Sequence, residues 1–322
     1  MADARGIPPI CSRLTLLPPL DLQSPDAVID ALDRGARANL SASCRTAAID
    51  RITSPGRLIA TGDLHDNPIH FARLIALAGM DEQGHEVTGS RPPEAAAPAP
   101  CHLTLHELIH GDRLINGMDF SYRVLARAAD LKARFPEHVH ILLGNHELSQ
   151  IAGAGIVKDG VRVVETFNEG VEYVFGSESP GVHDAIRRFV KSMPLALRCV
   201  CPRGDILCAH SVPPAALMQR FDPAVLTREL TDEDYEPRRG SAHLMVWGRG
   251  YDEELLEDLT ERWGVYLFIL GHERAENGAM FVPPNAVVLN SDHERGVYLP
   301  IDLEHPPRPE EALAMVVPLA SR

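Results

Sequence analysis

The sequence predicts an α/β protein whose strands present polar groups at their carboxyl ends. Three observations carry this expectation. From Arg57 onward, short apolar β-rich runs alternate with segments of helical spacing. Five of those runs stop at clusters rich in Asp, His and Asn. The run over 139–143 stops at Gly144-Asn145-His146-Glu147, the densest of these clusters. In open α/β sheets, ligands bind outside the carboxyl ends of the strands.

The elements follow in order. Residues 1–23 are proline-rich and without periodicity. Ser24-Pro25-Asp26 reads as a helix start: a capping serine, proline at the first position and an acid near the positive end of the dipole. That helix runs to about Asn39, and a second is expected over 45–52 before a Ser54-Pro55-Gly56 turn. Arg57–Thr61 is a strand, and 68–79 a helix with apolar residues at helical spacing. Residues 81–100 are polar and then Pro/Ala-rich, which reads as an exposed loop. A strand is expected over 103–109, a helix over 121–135 and a strand over 139–143. A long helical stretch over roughly 148–198 leads to a strand at Asp205–Ala209. The charged segment 214–240 reads as a lid or rim. Then come a strand over 244–247, a helix over Glu253–Trp263 and a strand over Val265–Leu270. Runs at 287–290 and 297–301 are expected to pair antiparallel. This divides the chain into a helical extension (1–56), a main domain (57–305) and a Pro/Glu-rich tail (306–322).

Bulk properties exclude several function classes. A chain of 322 residues, 45% hydrophobic and 24% charged, can bury a full core. Its formal charge of −14 opposes binding to nucleic acid, where phosphate contacts dominate affinity, and to anionic lipid. Purely apolar runs reach about six residues, too short to span a bilayer. Prolines interrupt the N-terminus where a signal peptide needs a continuous apolar region. The six cysteines (Cys11, Cys44, Cys101, Cys199, Cys201 and Cys208) lack C-x-x-C spacing. They read as reduced thiols, and the expected compartment is the cytoplasm.

The strand-end clusters carry the chemistry. Asp63 and His65, two apart, point to one side of extended backbone. Asp112 follows the second strand, Asn145 and His146 the third, His210 the fourth and His272 the fifth. Asp63, His65, Asp112, Asn145, His210 and His272 offer two carboxylates, three imidazoles and an amide oxygen. That is too many for one ion with an open position and suits two ions sharing a carboxylate. Mixed N/O donors without thiolate favour manganese, iron, zinc, cobalt or nickel over calcium, and we take manganese first. A single histidine after a strand is usually structural, and an aspartate after glycine is usually turn chemistry. It is the fivefold recurrence that argues otherwise. His106 and His110 flank the second strand as candidate supports for the ligands. His70, His85, His102, His138, His140 and His183 lack the strand-end context and are read as structural.

These segments, in this order, resemble the calcineurin-like metallophosphoesterases. The matching blocks are GDLHDN at 62–67, HGD at 110–112, GNHE at 144–147, AHS at 209–211 and GHE at 271–273, within about 57–302. Three further stretches are similar to the phosphoprotein-phosphatase branch, which includes bacterial serine/threonine phosphatases and diadenosine tetraphosphate hydrolases. They are Ser192-Met193-Pro194-Leu195-Ala196, Leu244-Met245-Val246-Trp247 and Asn290-Ser291-Asp292-His293. The resemblance implies a four-layer α/β/β/α sandwich with metals at the strand ends. By it, Asp63 and His65 bind one ion, Asp112 bridges, and Asn145, His210 and His272 hold the second. Such ions neutralise phosphate and make hydroxide available at neutral pH. His146 is then the candidate acid for the leaving oxygen, with Glu147 in support.

The second block departs from the branch pattern Gly-Asp-x-Val-Asp-Arg-Gly. Ile115 stands where an aspartate orients the acid histidine, and Asn116 where an arginine clamps phosphate. Asparagine cannot supply the bidentate, charge-assisted bonds of arginine. Arg249, just after the 244–247 run, is the candidate substitute, and Asn116 and Arg249 are the expected substrate contacts. The expected activity is hydrolysis of phosphomonoesters, on phosphoserine/phosphothreonine protein or on a small phosphorylated metabolite. The alternatives are a dinucleoside polyphosphate or nucleotide hydrolase, and a metal-binding regulatory protein with weak catalysis. No nucleic-acid or membrane partner is expected.

Overall fold

The computed structural model describes residues 20–80, 101–153, 156–158 and 160–320. The readings of 1–19 and of the 81–100 loop lie outside these residues. In chain order the elements are α1 (Pro25–Ser41), β1 (Arg45–Thr46), β2 (Ile49–Thr53), β3 (Arg57–Thr61), α2 (Pro68–Leu77) and β4 (Cys101–His106). Next come α3 (Tyr122–Arg134), β5 (Val139–Leu142), α4 (Asn145–Ala152), the hairpin β6 (Val157–Lys158) and β7 (Val161–Arg162), α5 (Val163–Phe175) and α6 (Ser179–Ser192). The chain continues through β8 (Ala196–Val200), β9 (Asp205–Ala209), α7 (Ser241–Val246), α8 (Glu253–Trp263) and β10 (Val265–Leu270). It closes with β11 (Ala279–Val282), β12 (Ala286–Leu289), β13 (Val297–Asp302), α9 (Pro309–Ala312) and β14 (Val317–Pro318).

Two mixed sheets form the centre. One runs β1-β2-β8-β9-β10-β12-β11, the other β14-β13-β3-β4-β5. Within them, β3, β4 and β5 are mutually parallel, as are β9, β10 and β12. Strand periodicity sorts the side chains into layers. Leu58 and Ala60 of one sheet meet Leu197, Ile206, Leu267 and Ile269 of the other in an inter-sheet core. Alternate residues such as Ile59, Phe268 and Leu270 face outward into a core shared with the helices. Helices thus cover the outer faces, which is the four-layer arrangement expected of the sandwich.

Local chemistry starts the helices as expected. The Ser24 hydroxyl accepts from the Ala27 amide at 3.3 Å, and the Asn67 side chain accepts from His70 N–H at 3.1 Å. Each cap is followed by proline at the first helical position.

Five expectations are corrected. Residues 45–52 are two strands rather than a helix, because β2 pairs in parallel with β8 and sheet contacts outweigh weak helix propensity. The N-terminal stretch is therefore one helix plus part of the larger sheet. Residues 244–247 belong to α7; an apolar run of that length does not distinguish helix from strand. The 148–198 stretch is three helices, a hairpin and β8. The runs at 287–290 and 297–301 fall in different sheets: β12 pairs with β10 and β11, and β13 with β3 and β14. Finally, the strand expected over 103–109 stops at His106, where Glu107 turns to φ +52°.

Cys44, Cys101, Cys199, Cys201 and Cys208 are free thiols. Among the described residues, no helix is long and apolar enough to cross a membrane.

Candidate metal centre and active site

The carboxyl ends of β3, β4 and β5 in one sheet meet those of β9 and β10 in the other. Asp63 and His65 follow β3, and Glu107 and His110 follow β4. Asn145 and His146 open α4 after β5, His210 follows β9 and His272 follows β10. The Asp63 carboxylate joins the sheets by accepting the His272 backbone N–H at 3.0 and 3.1 Å. Gly271 permits this approach: a Cβ there would meet the Asp63 carboxylate and the His106 ring.

Glu107 lies at the middle of the cluster, almost fully buried. Its Oε1 faces His146 Nε2 at 3.5 Å and His65 Nε2 at 3.9 Å, while its Oε2 faces His210 Nε2 at 3.5 Å. His65 Nδ1 lies 3.2 Å from the Ile109 carbonyl, so that nitrogen donates and Nε2 is left with its lone pair toward the cluster. His210 lies 2.8 Å from Asn145 Oδ1 and 3.1 Å from His272 Nδ1. Three overlapping donor groups result: Asp63, His106 and His210; His65, Glu107 and His146; and Glu107, His210 and His272. Glu107 is shared by the last two.

Of the six ligands expected from sequence, the structure brings together Asp63, His65, Asn145, His210 and His272. It does not bring Asp112. The Asp112 side chain is 72% exposed at the cleft rim and pairs with Lys158 at 2.9 Å. Asn116 is not among the described residues that line the cleft. Ile115 and Met118 exchange backbone hydrogen bonds at 2.9 and 3.1 Å around Asn116 and Gly117, both at positive φ. That is the primed two-residue turn favoured by Asn-Gly. The residue that reaches His146 is His110, with Nδ1 atoms 3.0 Å apart.

Glu107 was obscured because Leu108 and Ile109 extend the apolar run past the true strand end and HGD lies just beyond, whereas His110 was a candidate support whose partner, His146, was not foreseen. Two signals pointed to them. Glu107 directly follows the alternating stretch Leu103-Thr104-Leu105-His106. Glu107 and His110 also have the three-residue spacing of the two aspartates in the branch pattern. Backbone strain marks the same positions: His65, Glu107, His110 and His272 all take positive φ, which is costly for residues with a Cβ and clusters at functional sites.

The calcineurin-like phosphoesterase family model matches residues 56–274. The chain belongs to that family. No curated protein matches this phosphoesterase in sequence. Solved structures share its fold. One is a Saccharomyces cerevisiae protein serine/threonine phosphatase with similarity to human phosphatase PP5, at TM-score 0.60 and 14% identity, over 92% of this chain and 94% of that one. Another is a cold-active protein-tyrosine phosphatase of a psychrophilic Shewanella, at TM-score 0.51 and 15% identity, over 82% and 80%.

The electrostatics of the phosphoesterase centre fit cations. Burial pushes the Glu107 carboxyl well above its ordinary range, and the nearby charges of Asp63 and Glu147 add to this. Burial also pushes Glu147 up, to about 7, although its Oε1 accepts the Leu108 and Ile109 amides at 2.6 and 3.2 Å. Burial would raise Asp63 too, but the His106 and His210 rings more than offset it and hold that carboxyl well below its usual range. Burial lowers His65, His146, His210 and His272, so these rings are neutral near pH 7, the form in which imidazole binds metal. The buried Nε2 of His272 has no hydrogen-bond partner among the described residues. Clustered buried carboxylates, neutral imidazoles and an unpartnered nitrogen form a donor set that divalent ions satisfy.

The centre opens into a cleft of about 1110 Å³. Lys158, Arg249, Arg274 and Arg295 bring positive charge to its wall, and Trp247 an aromatic face. Arg249 donates to the His272 carbonyl and lies 3.6 Å from Glu273. Asn290, Asp292 and His293 line the cleft, whereas its described lining includes no residue of 214–240.

Proposed function

We propose that this phosphoesterase hydrolyses phosphomonoesters at a dinuclear metal centre held by Asp63, His65, Glu107, Asn145, His210 and His272. The observation that carries this reading is the placement of Glu107. Its two oxygens face different imidazoles, 3.9 and 3.5 Å away, as a shared carboxylate requires. With Glu107 in place of Asp112, the donors are again two carboxylates, three imidazoles and one amide oxygen. Two divalent ions held there would supply charge neutralisation of the phosphoryl group and a more acidic water. Manganese is the first candidate on donor chemistry.

The chain's own residues supply the rest. His146 faces the cleft; in its imidazolium form it gives the Nε2 proton to the leaving oxygen and returns to the neutral ring, with its remaining proton on Nδ1. Arg249, anchored on the His272 carbonyl beside the centre, offers guanidinium N–H groups to the phosphoryl oxygens. Lys158 reaches the same cleft from the β6–β7 hairpin. A phosphoprotein substrate accords with the protein phosphatases that share the fold. A second reading, nucleotide hydrolysis, draws on Trp247, which gives the cleft wall an aromatic face.

Manganese-loaded protein assayed in parallel on p-nitrophenyl phosphate, its bis-ester, a phosphoserine peptide and diadenosine tetraphosphate tests both readings. Faster turnover of the monoester and peptide supports the proposal. Preference for the diadenosine compound moves the function to the second reading. Two bound ions with no turnover on any of the four overturns both.

A further inference from the structure

The expected orienting aspartate for His146 is absent, and the structure offers a different device. His110 Nδ1 lies 3.0 Å from His146 Nδ1, and His110 Nε2 lies 2.9 Å from Gln150 Oε1. The Gln150 amide nitrogen in turn donates to Asn168 Oδ1 at 2.7 Å. Gln150 is one helical turn after His146 on α4, so both project from one face. Asn168 comes from α5. His110 itself has little freedom: it is 0% exposed, edge-on to Phe167 with ring centroids 5.6 Å apart, and its backbone N–H donates to Ser121 Oγ at 3.1 Å.

The chain has one direction. Gln150 uses its NH₂ on Asn168 and so presents oxygen to His110. An amide oxygen only accepts, so His110 carries its proton on Nε2. A neutral ring protonated there has a lone pair at Nδ1, and His146 must donate to it from its own Nδ1. His146 Nε2, on the cleft side and facing Glu107, is then the nitrogen free to exchange a proton with a substrate.

We propose that Asn168, Gln150 and His110 form a neutral, one-directional hydrogen-bond chain that positions His146, holding a proton on its Nδ1 and aiming its Nε2 into the cleft. His110 is a positioning residue: it acts through His146 and does not touch substrate. The inference rests on the reading of His146 as the proton donor, but the tautomer it specifies is measurable without turnover.

The test uses the full chain loaded with zinc, which is diamagnetic, and labelled with ring-¹⁵N histidine. His146 is assigned by the signals lost in His146→Asn. The expected result is a proton on Nδ1 of His146 and on Nε2 of His110. Either ring in the opposite tautomer overturns the proposal. Kinetics on the manganese form give a second measurement. His110→Phe keeps a ring but no acceptor, and Gln150→Leu removes the acceptor for His110. Each is expected to lower kcat roughly 10–100-fold, with KM and metal content unchanged. His110→Asn, which returns an acceptor oxygen at the Nδ1 position, is expected to recover most of that loss. Equal losses in His110→Phe and His110→Asn, or no loss in either, overturn the proposal. If His110→Phe does not fold, the wild-type tautomers decide alone. Absence of turnover in the wild type would sink the phosphomonoesterase reading and leave the tautomer result standing.

Discussion

The Lys158 ammonium lies 2.9 Å from the Asp112 carboxylate, at the rim of the cleft and apart from the buried imidazoles. An exposed pair of this kind contributes about 0–1 kcal/mol. Glu107 is instead the carboxylate buried among His65, His146 and His210, and in the proposed centre it takes the shared position. Glu107→Gln is therefore expected to lower bound metal from two ions toward one or none and to abolish turnover. Asp112→Asn should retain both ions and change kcat by less than about fivefold, within the ~1 kcal/mol of the surface pair. Elemental analysis of the two variants decides; the opposite ranking would return the bridging role to Asp112.

On the proposed reading His146 contributes a proton rather than a metal bond. His146→Ala should lower kcat by roughly 10²–10⁴-fold while both ions remain bound. Loss of an ion on that substitution would show that His146 is a ligand.

Lys158 and Arg249 reach the cleft from opposite sides of the chain's order, one from the β6–β7 hairpin and one just after α7. If each holds a phosphoryl oxygen by a charge-assisted bond, alanine at either position should raise KM about tenfold or more. An unchanged KM in both variants would assign substrate grip to other residues of the wall.

Stability should fall in mild acid for a reason unrelated to the metal centre. His102 stacks between His138 and His140, and His140 bonds Asp50 at 2.7 Å. Burial, then repulsion from His140 and His138, pushes His102 down to about 3. The unfolded ring titrates near 6.5, so between those values the unfolded state binds more protons. Stability therefore rises with pH in that window and is lost as pH falls from about 6.5 toward 3, by at most ~1.4 kcal/mol per pH unit. Urea midpoints at pH 7 and 4.5 should drop less for His102→Phe than for the wild type. Parallel losses in the two proteins would remove His102 as the cause.

The sequence by itself determined the strand-end logic of this protein. Local signals were enough for α1, α8, β3, β9 and β10, since caps, helical spacing and alternating apolar runs act within a few residues. Asp63, His65, Asn145, His210 and His272 were legible for the same reason, as each directly follows a strand that is itself legible. Tertiary structure decided what local signals left ambiguous. The 45–53 segment became two strands because β8 lay open to pair with β2. The second strand ended at His106 because the backbone turns there to bring Glu107 between the two sheets. That turn places Glu107 rather than Asp112 among the buried imidazoles, and His110 rather than Ile115 beside His146. An apolar run does not disclose where its hydrogen-bonded ladder stops; the neighbouring strands set that limit, and with it which side chains meet.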